Sequence, residues 1–250
     1  MEANNEYRLV PGFGNSFGTG WRVMTDNFLR LFLVVIVLGI LTGPMKMLEF
    51  KIDGNDFKNF PFFNGQDIGE NMRGLIAIGS LGIMAAFLGL IALMYALLVA
   101  PVFSYGGDMI FVQSVRRVKP DFEYLIKGFM ENYFNIVLAN LLVTALVVLG
   151  LFLLIIPGII IACRLVFVSY IVMDKKLDPI EAVELSWKLT RGHAWQIFFM
   201  GFVSFFIIIF GLLMLIVGIF PAIMWVASSF ATLYQSVLNE KEPVVVPAAV

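Results

Sequence analysis

Long apolar runs, each introduced by a short polar or amphipathic stretch, set the pattern of this chain. About 20 apolar residues are needed to cross a bilayer core, and the pattern predicts six crossings: 28–43, 74–100, 133–156, 159–173, 195–219 and 221–238. The uncharged Pro157-Gly158 pair is a tight turn joining the third run to the fourth, and 218–221 turns the fifth into the sixth. Pro101 kinks or stops the second run, and 102–115 continues as a bent helix toward Arg116, Arg117 and Lys119. Ala85, Gly89, Ala92, Ala96 and Ala100 form a stripe of small residues down one helix face. In lipid such stripes let backbones approach closely, so this run is expected to be the central helix. The outer loop, 44–73, mixes charges with five phenylalanines and is read as dipping into the outer headgroup region.

Between crossings, 121–131 and 178–191 read as amphipathic helices. In the second, Asp178 is the expected N-cap, Pro179 the first helical residue and Glu181 the reciprocating acid of a capping box, with Gly192 as the stop. Projected at about 100° per residue, Glu181, Glu184, Lys188 and Arg191 share one sector, while Ile180, Val183, Leu185, Trp187 and Leu189 fill the rest. That profile predicts a helix lying in the membrane interface. The same plan, a short amphipathic helix, a polar break and an interfacial aromatic, precedes crossing one (21–28), crossing three (126–133) and crossing five (187–195). The chain therefore reads as an all-α polytopic membrane protein, with six transmembrane helices in three hairpin repeats and amphipathic helices on the cytoplasmic surface. Residues 1–20 are expected to be flexible and 239–250 disordered.

Composition agrees. Hydrophobic residues make up 60% of the chain and charged residues 14%, with a mean hydropathy of +0.91; soluble domains carry about 25% charged residues. Lipid must therefore be the solvent. A net charge of −1 offers no basic face to nucleic acid. The single cysteine, Cys163, excludes a disulfide within the chain. Lysines and arginines fix the orientation: with the N-terminus inside, twelve fall on inner segments against four (Lys46, Lys51, Lys58 and Arg73) in the outer loop. Both termini are thus expected on the cytoplasmic side. The N-terminus lacks the basic region of a secretory leader, so 28–43 is read as a retained crossing.

Ile156-Pro157-Gly158, then Met173-Asp174, Glu181-Ala182 with Ser186, Gly192-His193 and Phe198 resemble the bacterial membrane family catalogued as domain of unknown function 975. The run Ser186-Trp187-Lys188-Leu189-Thr190-Arg191-Gly192 is similar to two sister groups, the YciC-type inner-membrane proteins and the membrane domain of some glycerophosphodiester phosphodiesterases. The resemblance covers about 101–234, and the long outer loop departs from the pattern. It implies a bacterial inner-membrane location and supplies no catalytic residues.

Arg164 is the charge placed well inside a crossing, about 9 Å below the outer turn by helical rise, with no intramembrane acid assigned as its partner. It either snorkels and bonds neighbouring carbonyls and Asn140, or holds an anionic headgroup or substrate in a polar cavity with Asn140 and Ser169. Arg116, Arg117, Lys119, Lys175 and Lys176 are candidate contacts for anionic lipid. His193, the single histidine, is read as a polar belt residue, and the outer-loop acids do not match a calcium-binding loop. No nucleophile, metalloprotease or phosphate-loop motif is present. The reading is a non-enzymatic module without cofactors, whose partners are membrane lipids, another membrane protein or a second copy. The alternative is a small transporter or lipid-handling protein with a cavity around Arg164.

Overall fold

A computed structural model describes residues 9–47 and 86–242. These residues are almost entirely helical, and no strand occurs among them. In chain order the helices are α1 (Phe13–Asp26), α2 (Phe28–Met47), α3 (86–98), α4 (Ala100–Val115), α5 (Tyr124–Glu131), α6 (Tyr133–Leu153), α7 (Ile155–Leu165), α8 (Val168–Lys175), α9 (Pro179–Thr190), α10 (Ala194–Leu213) and α11 (Leu215–Lys241). Four helical stretches are long and apolar enough to cross a membrane: Ala86–Val115, Tyr133–Leu153, Ile155–Lys175 and Ala194–Leu213. The bent pair Phe13–Asp26 and Phe28–Thr42, at 95° to each other, makes a fifth if it counts as one span. At 1.5 Å per residue, α6 is about 31 Å long, close to the thickness of a bilayer core.

The distribution of polarity is that of a protein dissolved in lipid. Phe152 is 87% exposed, and Leu153, Leu154, Ile155 and Ile156 beside it are exposed as well. Inside the bundle, α11 buries Ser228, Ser229, Thr232, Gln235 and Ser236. Three of these hydroxyls bond carbonyls one turn back on their own helix: Ser229 to Trp225, Thr232 to Ser228 and Ser236 to Thr232, each at 2.7 Å. This is how a helix carries polar residues through an apolar interior.

The two hairpins turn earlier than their sequence signals suggest. The chain breaks between α6 and α7 at Leu154, whose backbone is extended (φ −162°, ψ 148°). Pro157 and Gly158 lie inside the first turns of α7, where the proline's missing N–H leaves no helical bond unmade. Gly158 serves close packing instead: a Cβ there would come within 2.7 Å of the Leu151 backbone nitrogen, and one on Gly150 within 3.0 Å of the Gly158 Cα. The α10–α11 turn likewise falls at Met214 rather than at 218–221, and Pro221 sits within α11. A Cβ on Gly211 would lie 2.9 Å from the Gly218 carbonyl oxygen.

Among the described residues α4 and α11 share the centre of the bundle, and residues 86–98 of the second predicted crossing lie outside it. The α11 helix packs against α1, α2, α4, α9 and α10, and α4 against α1, α2, α5, α6, α8 and α11. In α3, by contrast, Leu90, Ile91, Leu93 and Met94 are exposed, and a Cβ on Gly89 would meet nothing within 4 Å. The small stripe thus lacks a neighbour at Gly89, whereas the hydroxyl-rich face of α11 had to go inside. Ala85, crossing residues 74–85 and the outer-loop segment 48–73 lie outside the described residues.

The described parts of both chain ends are helical. Residues 13–20 form the first half of α1 and pack on α11, where a Cβ on Gly20 would come within 2.7 Å of the Ser229 backbone. The Trp225 indole N–H donates to the Phe17 carbonyl at 3.0 Å. Residues 239–241 complete α11; 1–8 and 243–250 lie outside the described residues.

Three short helices, α1, α5 and α9, each lead through a break into an apolar helix. The break residues adopt similar backbones: Asn27 (φ −116°, ψ 23°), Asn132 (φ −138°, ψ 26°) and His193 (φ −109°, ψ 5°). In α9, Asp178 and Pro179 take the expected N-cap and first helical positions, and Gly192 (φ 94°) follows the end of the helix. The capping box does not form; the Asp178 side chain accepts instead from Asn135 Nδ2 at 3.4 Å. The face that α9 buries is also narrower than its apolar arc. Ala182, Ser186, Leu189 and Thr190 are buried, while Ile180 and Trp187 are exposed.

Candidate functional site

Arg164 sits in the last turn of α7, just before a two-residue interruption at Val166 and Phe167. Its carbonyl accepts hydrogen bonds from the Ser186 hydroxyl at 2.7 Å and the Thr190 hydroxyl at 3.3 Å, which tie α7 to α9. Its guanidinium carbon lies 5.6 Å from the centre of the Trp187 ring, a cation–π contact. Nε and Nη1 are buried without a hydrogen-bond partner. The arginine forms the polar end of a cavity of about 470 Å³ between α7 and the first turn of α10, lined otherwise by groups such as Ile156, Ile160, Trp195 and Phe198. Ile159, Cys163 and Phe198 also line a neighbouring groove of about 380 Å³ that runs on along Ile197, Gly201 and Phe202.

Asn140 and Ser169 do not join Arg164. They line a different cavity, of about 310 Å³, among α4, α6, α7 and α8. Its charged residue is Asp108 of α4, accompanied by Ser104 and Tyr105. Asp108 lies within the apolar stretch Ala86–Val115, so the crossings do contain an acid, contrary to the sequence reading. Ser169 lines the same cavity as this aspartate. The signal was available: a lone aspartate in an otherwise apolar helix is a functional candidate by default, but the basic cluster eight residues later drew 102–115 out toward the interface.

Ala162 and Val166 border both the Asp108 cavity and the groove beyond Arg164, so α7 separates the two. Both stand at the level of the amphipathic helices. A Cβ on Gly106, two residues before Asp108, would run into the Tyr124 and Leu125 backbone of α5, and Arg164 is held by α9.

The chain matches no protein-family model, no curated protein and no solved structure. Its chemistry must be read from these cavities alone.

Of the basic residues expected to meet anionic lipid, Arg116, Lys175 and Lys176 pair with acids of the protein itself. Arg116 grips Asp174 with two hydrogen bonds of 2.6 Å and donates from Nε to Gln235 at 2.7 Å. The Tyr234 hydroxyl adds a third donor to Asp174, at 2.9 Å. Burial by itself depresses the Arg116 pKa; the hydrogen bonds and charge of Asp174 outweigh it and hold the value above the usual one. Lys175 pairs with Glu242, and Lys176 with Glu131 at 2.6 Å. Lys119 is exposed, and Arg117 takes a left-handed backbone (φ 58°). His193 Nε2 stands 3.4 Å from Glu240, and its Nδ1 is buried without a partner. Among the described residues no cluster of His, Cys, Asp and Glu has metal-site geometry; the outer-loop acids lie outside them.

Proposed function

We propose that this protein is a non-enzymatic, lipid-binding membrane module whose α7–α10 groove holds an anionic phospholipid. The observation that carries this reading is Arg164, with two buried guanidinium nitrogens lacking hydrogen-bond partners at the head of an apolar groove. A buried guanidinium seeks an anion, and the fork geometry of arginine suits phosphate oxygens. The N-terminal turn of α10 lines the same cavity through Ala194 and Trp195 and contributes its positive dipole end. An acyl chain then follows the groove past Ile159 and Phe198. With Asn140 and Ser169 in a separate cavity, Arg164 lacks the polar surroundings that a transport path would need.

The same reading places the protein in a bacterial inner membrane, with six crossings in three hairpin repeats and both termini cytoplasmic. The similar breaks at Asn27, Asn132 and His193 support the repeats, as do the paired hairpin glycines Gly150/Gly158 and Gly211/Gly218. The excess of lysine and arginine on the inner segments supports the orientation.

The test is lipid retention. Protein purified in a mild non-ionic detergent is expected to keep phosphatidylglycerol, measured by native mass spectrometry, in preference to phosphatidylcholine. Arg164→Leu is expected to abolish that preference without lowering the melting temperature, because it removes a buried charge that has no acid and no hydrogen-bond acceptor as partner for Nε or Nη1. Equal retention of the two lipids, or a preference that survives Arg164→Leu, would refute the proposal.

A further inference from the structure

We infer that the Asp108 cavity is a second binding site, specific for an ammonium group. The cavity is distinct from the Arg164 groove and opposite to it in charge. Asp108 supplies a carboxylate; Ser104, Tyr105 and Ser169 supply hydroxyls and Asn140 an amide oxygen. No lysine, arginine or histidine lines it. An acid in such a place requires a positive partner or a proton, since an unpaired charge out of water is costly. The ammonium group is the partner the walls fit. It offers several N–H donors to the surrounding oxygens. The remaining lining, including Val143, Val147 and Leu165, is apolar and suits a short alkyl substituent. At about 30 Å³ per water-sized group, 310 Å³ takes on the order of ten non-hydrogen atoms. The ligand is thus a small primary amine or the amine of a lipid headgroup, and the exposed Ser104 on the cavity wall marks an opening to both.

The experiment uses the full chain in maltoside micelles, which carry no ammonium group. The probe is butylammonium chloride, compared with butanol and with sodium chloride at equal ionic strength. Butylammonium is expected to raise the melting temperature saturably, as any ligand selective for the folded state does, while butanol and sodium leave it unchanged. Asp108→Asn is expected to weaken the apparent affinity on the order of 10- to 100-fold, the loss of a charge-assisted hydrogen bond. Should that variant not fold, Asn140→Leu combined with Ser169→Ala is expected to weaken binding in the same direction. A second arm separates the sources. In nanodiscs, a butylammonium midpoint that moves higher when phosphatidylcholine is replaced by phosphatidylethanolamine identifies a lipid headgroup, and an unmoved midpoint identifies a free amine. The inference is overturned if butylammonium gives no saturable shift, if butanol or sodium matches it, or if the shift survives the Asp108 and Asn140/Ser169 substitutions.

Discussion

The Arg116–Asp174 pair joins α4 to α8, and the Gln235 and Tyr234 side chains fasten both to α11. The Asp174 side chain is 9% exposed and that of Arg116 29%. Losing one partner of a fully buried ion pair costs roughly 3–5 kcal/mol, because the other charge is left uncompensated. Part of Arg116 reaches solvent, so its residual charge is screened and the loss in Asp174→Leu is expected nearer 2–3 kcal/mol. Arg116→Met strands the more buried Asp174 with Tyr234 as its remaining donor in this cluster, and is expected to cost at least as much, about 3 kcal/mol. The double variant leaves neither charge behind. It is expected to lose less than the sum of the two by at least about 1.5 kcal/mol. Denaturant unfolding of the four proteins in one detergent, followed by circular dichroism, measures the cycle. Losses that add to within about 0.5 kcal/mol would refute the view that these groups act as one buried unit.

Two further outcomes follow from packing and from charge. Gly158→Ala pushes a Cβ to within 2.7 Å of the Leu151 backbone and is expected to cost about 1–3 kcal/mol by overpacking; Gly201→Ala, with nothing within 4 Å, is expected to be neutral or to stabilise by up to about 1 kcal/mol, and parallel melts decide. For the exposed Glu131–Lys176 pair, the hydrogen bond to Lys176 lowers the Glu131 pKa and the hydrogen bond to Glu131 raises that of Lys176. Its contribution is therefore present between the ordinary values of 4.5 and 10.5, is lost as pH falls through the lowered Glu131 value, and is lost again as pH rises through the raised Lys176 value. The melting difference between wild type and Glu131→Gln should be flat across that window and close up in acid; a difference that grows on acidification contradicts the assignment.

Hydrophobic periodicity alone located the apolar stretches Tyr133–Leu153, Ile155–Lys175 and Ala194–Leu213 and the short helices α5 and α9, because run length and the 3.6-residue repeat are local properties. The start of α9 at Asp178-Pro179 and its stop at Gly192 were legible for the same reason. Turn chemistry misled at Pro157-Gly158 and at 218–221. A glycine has no side chain to reveal whether it is there to bend the backbone or to let another helix approach, and in both hairpins it does the second. The central position of α11 was equally hidden, since serines and threonines spaced along a helix look the same whether they face lipid, water or one another. Tertiary structure alone decided which charges meet. Arg116 and Asp174 stand 58 residues apart in sequence, Arg164 and Asn140 fall in different cavities although both were placed in neighbouring crossings, and Asp108 gains Asn140 and Ser169 as company because three helices converge there. Burial and pairing are set by contacts distant along the chain, and no one-dimensional pattern carries them.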